Sequence, residues 1–395
     1  MRLWHGGGEC GHYHAEGLTL TGTTLTLDTG TKRTGTRSYK FDSSAIAHLA
    51  VPIIGVVGRT YFACGHFLLP AATGLPSADA VIASFATGAG FLGGAMLTTT
   101  GKLRLVSTAF AQVGSDSVDT ITTDTWYRVE LVCEINSGTN DDLLSLYLNG
   151  TLVATSSVEN RGTVAPTIFR FGWSDTDPGT SEVIFWDDLA LNDEQGSVNN
   201  TLVGDQRIYA LHPTADSAIG NWRDGAGGST NIFGSVDNIP PTGVATASSG
   251  ATNQVENAVA TAPNSYDATM QTYTAAGIDA GHTITAIIPM VEIGSSSTTG
   301  SDSISHSVVS NPAIAATAAS CDIVAGTYPT GWNFSRGIVS ENPSVVRGTA
   351  PVMRITKNVA TSRVNACCMM AMLVASTSAA PPPPATRYHS IIMVG

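Results

Sequence analysis

Apolar and polar residues alternate with a period of two in many short runs along the first half of the chain. Leu18-Thr19-Leu20 and Thr24-Leu25-Thr26-Leu27 alternate around Gly22 and stop at Asp28-Thr29-Gly30. Arg37-Ser38-Tyr39-Lys40-Phe41 does the same, and segments 45–54, 60–69, 80–86 and 102–106 read as further strands bounded by Gly, Pro or polar residues. Such a period puts successive side chains on opposite faces of a strand, one for a core and one for solvent. The clearest case is Leu143-Leu144-Ser145-Leu146-Tyr147-Leu148-Asn149-Gly150-Thr151. Leu144, Leu146 and Leu148 share one face, and Asn149-Gly150 suits the positive φ angles of a type I′ turn, so a hairpin is predicted there. Residues 126–134 before it and 167–173 after it also read as strands. No long run carries apolar residues at i, i+3, i+4 and i+7 with charges opposite, so helices are not predicted.

The second half has a different texture. Residues 183–222 form a boundary: an apolar run, Val183-Ile184-Phe185-Trp186, then Asp187-Asp188-Leu189, then a polar Asn- and Gly-containing segment, then Arg207-Ile208-Tyr209-Ala210-Leu211. The expected organisation is a β-sandwich over 1–191, a connector and linker over 192–250, a C-terminal β domain over 251–377, and a Pro-rich tail with an apolar tip over 378–395. In the C-terminal domain 282–291, 303–309 and 352–356 read as strands. Residues 366–375 are uniformly apolar, so periodicity cannot assign them; Thr, Ser and Val in the flanks favour a core strand over a helix. In the tail, Pro381 to Pro384 predict a stiff spacer. Beyond it Ile391, Ile392, Met393 and Val394 are candidate assembly residues, pairing either with a neighbouring subunit's sheet edge or with their own domain.

Composition sharpens this picture. Charged residues are 13% of the chain, against about 25% in average domains, which suits strands and turns rather than amphipathic helices. A net charge of −12 with scattered basic residues argues against nucleic acid as a partner. The first residues hold no apolar core of signal-peptide length, and the longest apolar run is about half a membrane span, so a soluble protein made in the cytoplasm, without membrane insertion, is expected. The cysteines, Cys10, Cys64, Cys133, Cys321, Cys367 and Cys368, form no CxxC pair and are expected to be buried thiols.

Taken in order, Trp126-Tyr127-Arg128-Val129-Glu130, the Leu146-Tyr147-Leu148-Asn149-Gly150 hairpin, Phe171-Gly172 and Trp186-Asp187-Asp188-Leu189 resemble the concanavalin A-like lectin/glucanase fold in its laminin-G-like form. The resemblance implies a jelly-roll of two packed antiparallel sheets. Gly196-Ser197-Val198-Asn199-Asn200, Gly204-Asp205, Arg207-Ile208-Tyr209, Pro213-Thr214-Ala215-Asp216 and Asn221-Trp222 resemble a segment of bacteriophage virion proteins in which a lectin-like domain precedes a second strand-rich domain. That resemblance implies a non-enzymatic structural component of a phage tail fibre, tail tip or capsid surface, located in the virion and assembled with other virion proteins as a homo-oligomer, for which it suggests a trimer.

Chemistry is sparse. Glycoside hydrolysis needs two carboxylates flanking the scissile bond, and the Glu-x-Asp-x-x-Glu run of laminarinase-like members is missing. Asp187 and Asp188 are adjacent, so on a regular strand they would point to opposite faces and read as an exposed, turn-flanking pair. A carbohydrate-binding module contacting a host surface glycan is the alternative function. Its candidate residues are Trp173 with Asp175 and Trp186 with Asp187, although large aromatic rings are more often core. A glycan hydrolase is a third reading. No cofactor is expected; calcium is the metal considered, with Asp175 and Asp177 in one oxygen-rich loop and Asp141 and Asp142 in another. His5, His12 and His14 beside Cys10 give a superficial zinc pattern that lacks a second cluster.

Overall fold

The computed structural model is all-β. It describes residues 1–22, 25–88, 90–138, 140–160, 163–179, 182–224, 229–237, 255–257, 263–295, 301–308, 319–324, 334–336, 340–341, 348–357 and 365–378. The candidate assembly residues Ile391, Ile392, Met393 and Val394 lie outside the described residues, as does the proline spacer.

The first sandwich opens with β1 (Arg2–Gly6), β2 (Thr19–Thr21), β3 (Leu25–Asp28), β4 (Ser38–Ser43) and β5 (Ala47–Pro52). It continues through β6 (Thr60–Leu68), β7 (Ala80–Thr87), β8 (Gly90–Leu97), β9 (Leu103–Ser107) and β10 (Gln112–Val113). It closes with β11 (Tyr127–Glu134), β12 (Asp142–Leu148), β13 (Thr151–Glu159), β14 (Ile168–Trp173) and β15 (Glu182–Asp193). One sheet, the front sheet below, runs β13-β12-β11-β6-β15-β4-β3, with β1 also on β15; the back sheet runs β10-β9-β8-β7-β14-β5-β2. The chain passes repeatedly from one sheet to the other, and all pairs are antiparallel, the jelly-roll arrangement. Alternation decides which side chains meet between the sheets. From β11, Tyr127, Val129, Leu131 and Cys133 enter the core, and the intervening Arg128 and Glu130 are left for the outer face. Aromatic rings fill the centre: Phe171 lies 5.9 Å from Trp186 and meets Phe41 edge-on at 6.2 Å. Each such apolar side chain contributes about 1.5–3 kcal/mol by leaving water. The hairpin predicted at Asn149-Gly150 is present, with φ of 52° and 85° at its two turn residues.

The second sandwich contains β16 (Gln206–Leu211), β17 (Pro213–Ala218), β18 (Arg223–Asp224), β19 (Val255–Asn257), β20 (Asn264–Met270) and β21 (His282–Ser295). Its later strands are β22 (Ser301–Val308), β23 (Ala319–Val324), β24 (Phe334–Arg336), β25 (Ser340–Glu341), β26 (Val352–Lys357) and β27 (Asn365–Ser378). One sheet runs β18-β19-β27-β21-β24, with β16 also on β27 and β25 also on β21; its partner runs β17-β20-β26-β22-β23. Trp222, Tyr266, Met353, Ile355, Met370 and Met372 sit in the core between them. Residues 206–218 of the segment expected to be a connector are therefore built into this sandwich. β16 pairs in full register with β27, and β17 pairs with β20.

The uniform apolarity of β27 also has a physical reason. Its inner residues Met370, Met372 and Val374 join the second core, while Met369, Ala371, Leu373 and Ala375 pack outward with Ile208, Ala286, Ile288, Cys10 and Ala15. A strand covered on both faces loses its alternation. The N-terminal segment of the first sandwich thus lies against the outer face of the second. The described thiols Cys10, Cys64, Cys133 and Cys367 are buried and form no disulfide.

Candidate functional site

A pocket of about 250 Å³ opens on the outer face of the front sheet, lined by Arg33, His66, Trp126, Arg128, Asn149 and Asp205. These residues come from five separate parts of the chain. His66 on β6 and Arg128 on β11 are directly opposite each other across the ladder. Trp126 immediately precedes β11 and packs its indole against Leu68, Val183 and Phe185. It is half-buried, whereas Trp4, Trp173, Trp186 and Trp222 are at most 2% exposed, so Trp126 is the one accessible indole among the described residues. Asn149 arrives through the hairpin turn. Its backbone N–H donates to the Arg128 carbonyl at 2.8 Å, and the Arg128 N–H donates to Asn149 Oδ1 at 2.9 Å. The type I′ turn is thereby clamped beside the guanidinium.

Arg33 reaches in from the loop between β3 and β4, and Asp205 from the segment that links the two sandwiches. Gly204 of that segment donates its N–H to Glu130 Oε1 at 2.9 Å, and Val203 packs on Cys64 and Ala190, so the linking segment lies across part of the front sheet. Arg33 Nη1 donates to Asp188 Oδ2 at 2.6 Å and to the Gln206 carbonyl at 2.8 Å, and its Nη2 donates to Asp205. Burial works against the Arg33 charge, but Asp188 and Asp205 more than offset it, leaving its pKa raised. Asp205 Oδ1 lies 3.3 Å from His66 Nε2. The bond from His66, with Arg33 beside it, holds the Asp205 carboxyl well below its usual range. Burial lowers the His66 pKa and leaves the ring neutral near pH 7. Arg128 Nε stands 3.1 Å from Glu130 Oε2, an ion pair by distance whose geometry does not satisfy a hydrogen bond.

Asp187 and Asp188 correct an expectation. Neither is exposed, and they do not face opposite ways. The register between β15 and β6 slips after the Asp187↔His66 pair and resumes at Ala190↔Cys64. One extra residue on β15 makes a bulge, with Asp188 at φ 51°. Trp186 and Leu189 both turn inward over Gly65, where an added Cβ would come within 2.9 and 3.0 Å of their side chains. Asp187 accepts from the backbone N–H of Arg33 (2.7 Å), Thr34 (3.2 Å) and Asp188 (2.7 Å). Asp188 accepts from the Arg33 guanidinium, the Thr34 hydroxyl and the Ile208 N–H at 2.6 Å, and so ties the first strand of the second sandwich to the first sandwich. Burial first, and the neighbouring Asp188 second, push the Asp187 pKa far up.

Two further buried carboxyls lie in the same region. Glu9 accepts from the Thr36 N–H (2.8 Å), the Thr36 hydroxyl (2.9 Å) and the Arg37 N–H (3.2 Å). Glu16 accepts from the N–H groups of Gly7 (2.9 Å), Gly8 (3.2 Å) and Cys10 (3.1 Å) and from the Tyr39 hydroxyl. Burial raises the Glu9 pKa to about 8 and raises that of Glu16 as well.

The glycan-binding candidates Trp173, Asp175, Trp186 and Asp187 are not brought together. Trp173 and Trp186 are wholly in the core, the former with its Nε1 donating to the Glu182 carbonyl at 3.3 Å, so neither is a platform for a sugar. Asp175 pairs with Arg170 and accepts from Ser84, away from the pocket in the region of the back sheet. The metal candidates also fail to converge: Asp177 is exposed, Asp141 is exposed, and Asp142 is buried and accepts from the Asn136 N–H at 2.8 Å. No group of three or more His, Cys, Asp or Glu side chains able to hold a metal ion occurs among the described residues, which includes His5, His12, His14 and Cys10. Trp126 and Arg128 were missed as site residues, although strand alternation carried a signal. Tyr127, Val129 and Leu131 are the apolar face, so Trp126 and Arg128 must point the other way.

No family model matches the chain, and no curated protein matches it. Among solved structures it is similar to an endo-β-1,4-glucuronan lyase from the fungus Trichoderma reesei, at 17% identity and a TM-score of 0.38, over 48% of this chain and 95% of that one. It is also similar to the alginate lyase vAL-1 from a Chlorella virus, at 14% identity and a TM-score of 0.34, over 45% and 94%. A third is domain 4 of AbnA, an extracellular arabinanase from Geobacillus stearothermophilus, at 16% identity and a TM-score of 0.33, over 48% and 91%. At such scores these likenesses assign no residue of this chain a role. They do correct the expectation of a virion structural component: the similar structures are of polysaccharide lyases, sialidases and an arabinanase domain.

Proposed function

We propose that this protein binds carbohydrate, without cleaving it, at the pocket on the outer face of the front sheet. The observation that carries this reading is Trp126, a half-exposed indole beside a concave site walled by two guanidiniums, an amide and a carboxylate. An apolar ring face covers the C–H side of a sugar, while convergent polar groups take its hydroxyls. The pocket is smaller than the ~300–1,000 Å³ of typical small-molecule sites, which suits one or two residues of a chain passing over the surface.

The proton inventory favours binding over hydrolysis. Glycoside cleavage needs a protonated carboxyl on one side of the bond and a carboxylate or water on the other. In the pocket Asp205 is held ionised, and His66 is 3% exposed with its Nε2 against Asp205. The carboxyls whose pKa is raised, Glu9, Glu16 and Asp187, are all fully buried behind it.

A glycan array followed by calorimetric titration tests the reading. The wild-type protein is expected to bind at least one soluble polysaccharide without releasing new reducing ends or unsaturated products. Trp126→Ala is expected to weaken binding by about 10-fold or more, and Trp126→Phe to weaken it less. A blank array, or binding indifferent to Trp126→Ala, would sink the proposal.

A further inference from the structure

Resting on the carbohydrate reading, we infer that the pocket takes an uncharged saccharide chain and discriminates against uronate polymers, with Asp205 setting that choice. The argument is a charge inventory. Two guanidiniums, Arg33 and Arg128, face three carboxylates, Asp188, Asp205 and Glu130, through contacts of 2.6 Å (Arg33 to Asp188) and 3.1 Å (Arg128 to Glu130) and a direct Arg33 to Asp205 bond. Both cations are already paired, and the only other titratable ring lining the pocket, His66, donates to Asp205 as a neutral imidazole. A sugar carboxylate entering here would be a fourth anion beside two arginines. It would have to break a pair in which Asp188 is wholly buried and Glu130 is 2% exposed, leaving a buried charge uncompensated. The whole chain, at −12, adds long-range repulsion of any polyanion.

Hydroxyls meet the opposite situation. Each both donates and accepts, and ion pairs leave both capacities open. The Asp205 side chain is 42% exposed, so its remaining lone pairs are accessible to a hydroxyl proton. Asn149, whose Oδ1 is occupied by the Arg128 N–H, keeps its NH2 group as a donor.

The test compares the full chain with laminarin, galactomannan and hydroxyethylcellulose against polygalacturonate and alginate, by titration at low and high salt. Binding of a neutral polymer is expected, changing less than about 2-fold between about 20 and about 500 mM salt, because no net charge is exchanged. The uronates are expected not to bind at either salt. Asp205→Asn frees Arg33 and His66 from their shared partner and is expected to add salt-sensitive uronate binding, tighter by about 10-fold or more at low salt. Uronate binding by the wild-type protein that tightens at low salt and is lost in Trp126→Ala would overturn this inference and leave the carbohydrate reading standing. Binding of neither class would remove both. An Asp205→Asn protein as indifferent to uronates as the wild type would overturn the role given to Asp205.

Discussion

Two carboxylate clusters sit on neighbouring parts of one sandwich and are handled in opposite ways. At the pocket, Asp205 in its lining and the buried Asp188 and Glu130 are each beside a lining guanidinium, and Asp205 titrates lower than usual. Nearby in the fold, Glu9, Glu16 and Asp187 accept bonds from backbone N–H groups and hydroxyls, and all three titrate higher than usual. Backbone donors satisfy lone pairs but carry no net charge, so they cannot offset the loss of water around an anion; a guanidinium can. The first arrangement keeps Asp205 charged at a surface. The second gives up charge to brace the N-terminal segment, the β3–β4 loop and the β15 bulge against one another.

Breaking the join between the clusters has the largest expected effect. Asp188→Ala removes the partner of Arg33 and the acceptor for the Ile208 N–H, and is expected to lower stability by about 3–5 kcal/mol. Urea unfolding of the full chain followed by fluorescence measures it; a change near zero would mean that Asp205 alone compensates Arg33.

The buried cluster predicts a pH dependence. Glu9 has a folded pKa above its unfolded one, so its contribution is fully present below about pH 4.5 and is lost as pH rises through about 8. Over about two pH units inside that window the loss is roughly 3 kcal/mol, at about 1.4 kcal/mol per unit. Glu9→Gln removes the titration, so its melting temperature is expected to fall less than that of the wild type between mildly acidic and mildly alkaline buffer. Parallel curves for the two proteins would show that Glu9 does not hold its proton.

In the pocket, Trp126→Ala is expected to weaken glycan binding by about 10-fold or more, about 1.4 kcal/mol. Trp126 covers only the small outer cluster of Leu68, Val183 and Phe185 and not the core between the sheets, so the unfolding midpoint should move less than for Asp188→Ala. The smallest effect expected is that of Asn149→Ala. It places a Cβ-bearing residue without a polar side chain at φ 52° and removes the acceptor of the Arg128 N–H, costing about 1–2 kcal/mol of turn stability. Binding is expected to weaken only several-fold, read by the same titration.

Alternation along single strands determined much of this protein before any tertiary contact was known. It gave the all-β class, the hairpin at Asn149-Gly150 and the inward set Tyr127, Val129 and Leu131, while the Thr, Ser and Val flanks, not alternation, pointed to the core strand over 366–375; local patterning and turn chemistry are properties of neighbouring residues. Only the tertiary structure decided the rest. One inserted residue in β15 placed Asp187 and Asp188 together under the β3–β4 loop, against the regular-strand expectation. Ladder pairing of β16 with β27 turned residues 206–211 of an expected connector into part of a sheet. Trp173 and Trp186 went to the core and Trp126 to the surface, and Arg33, His66, Arg128 and Asp205 met from positions up to 172 residues apart. Such meetings depend on strand register and on which face is covered, and both are set by pairing partners distant in the chain.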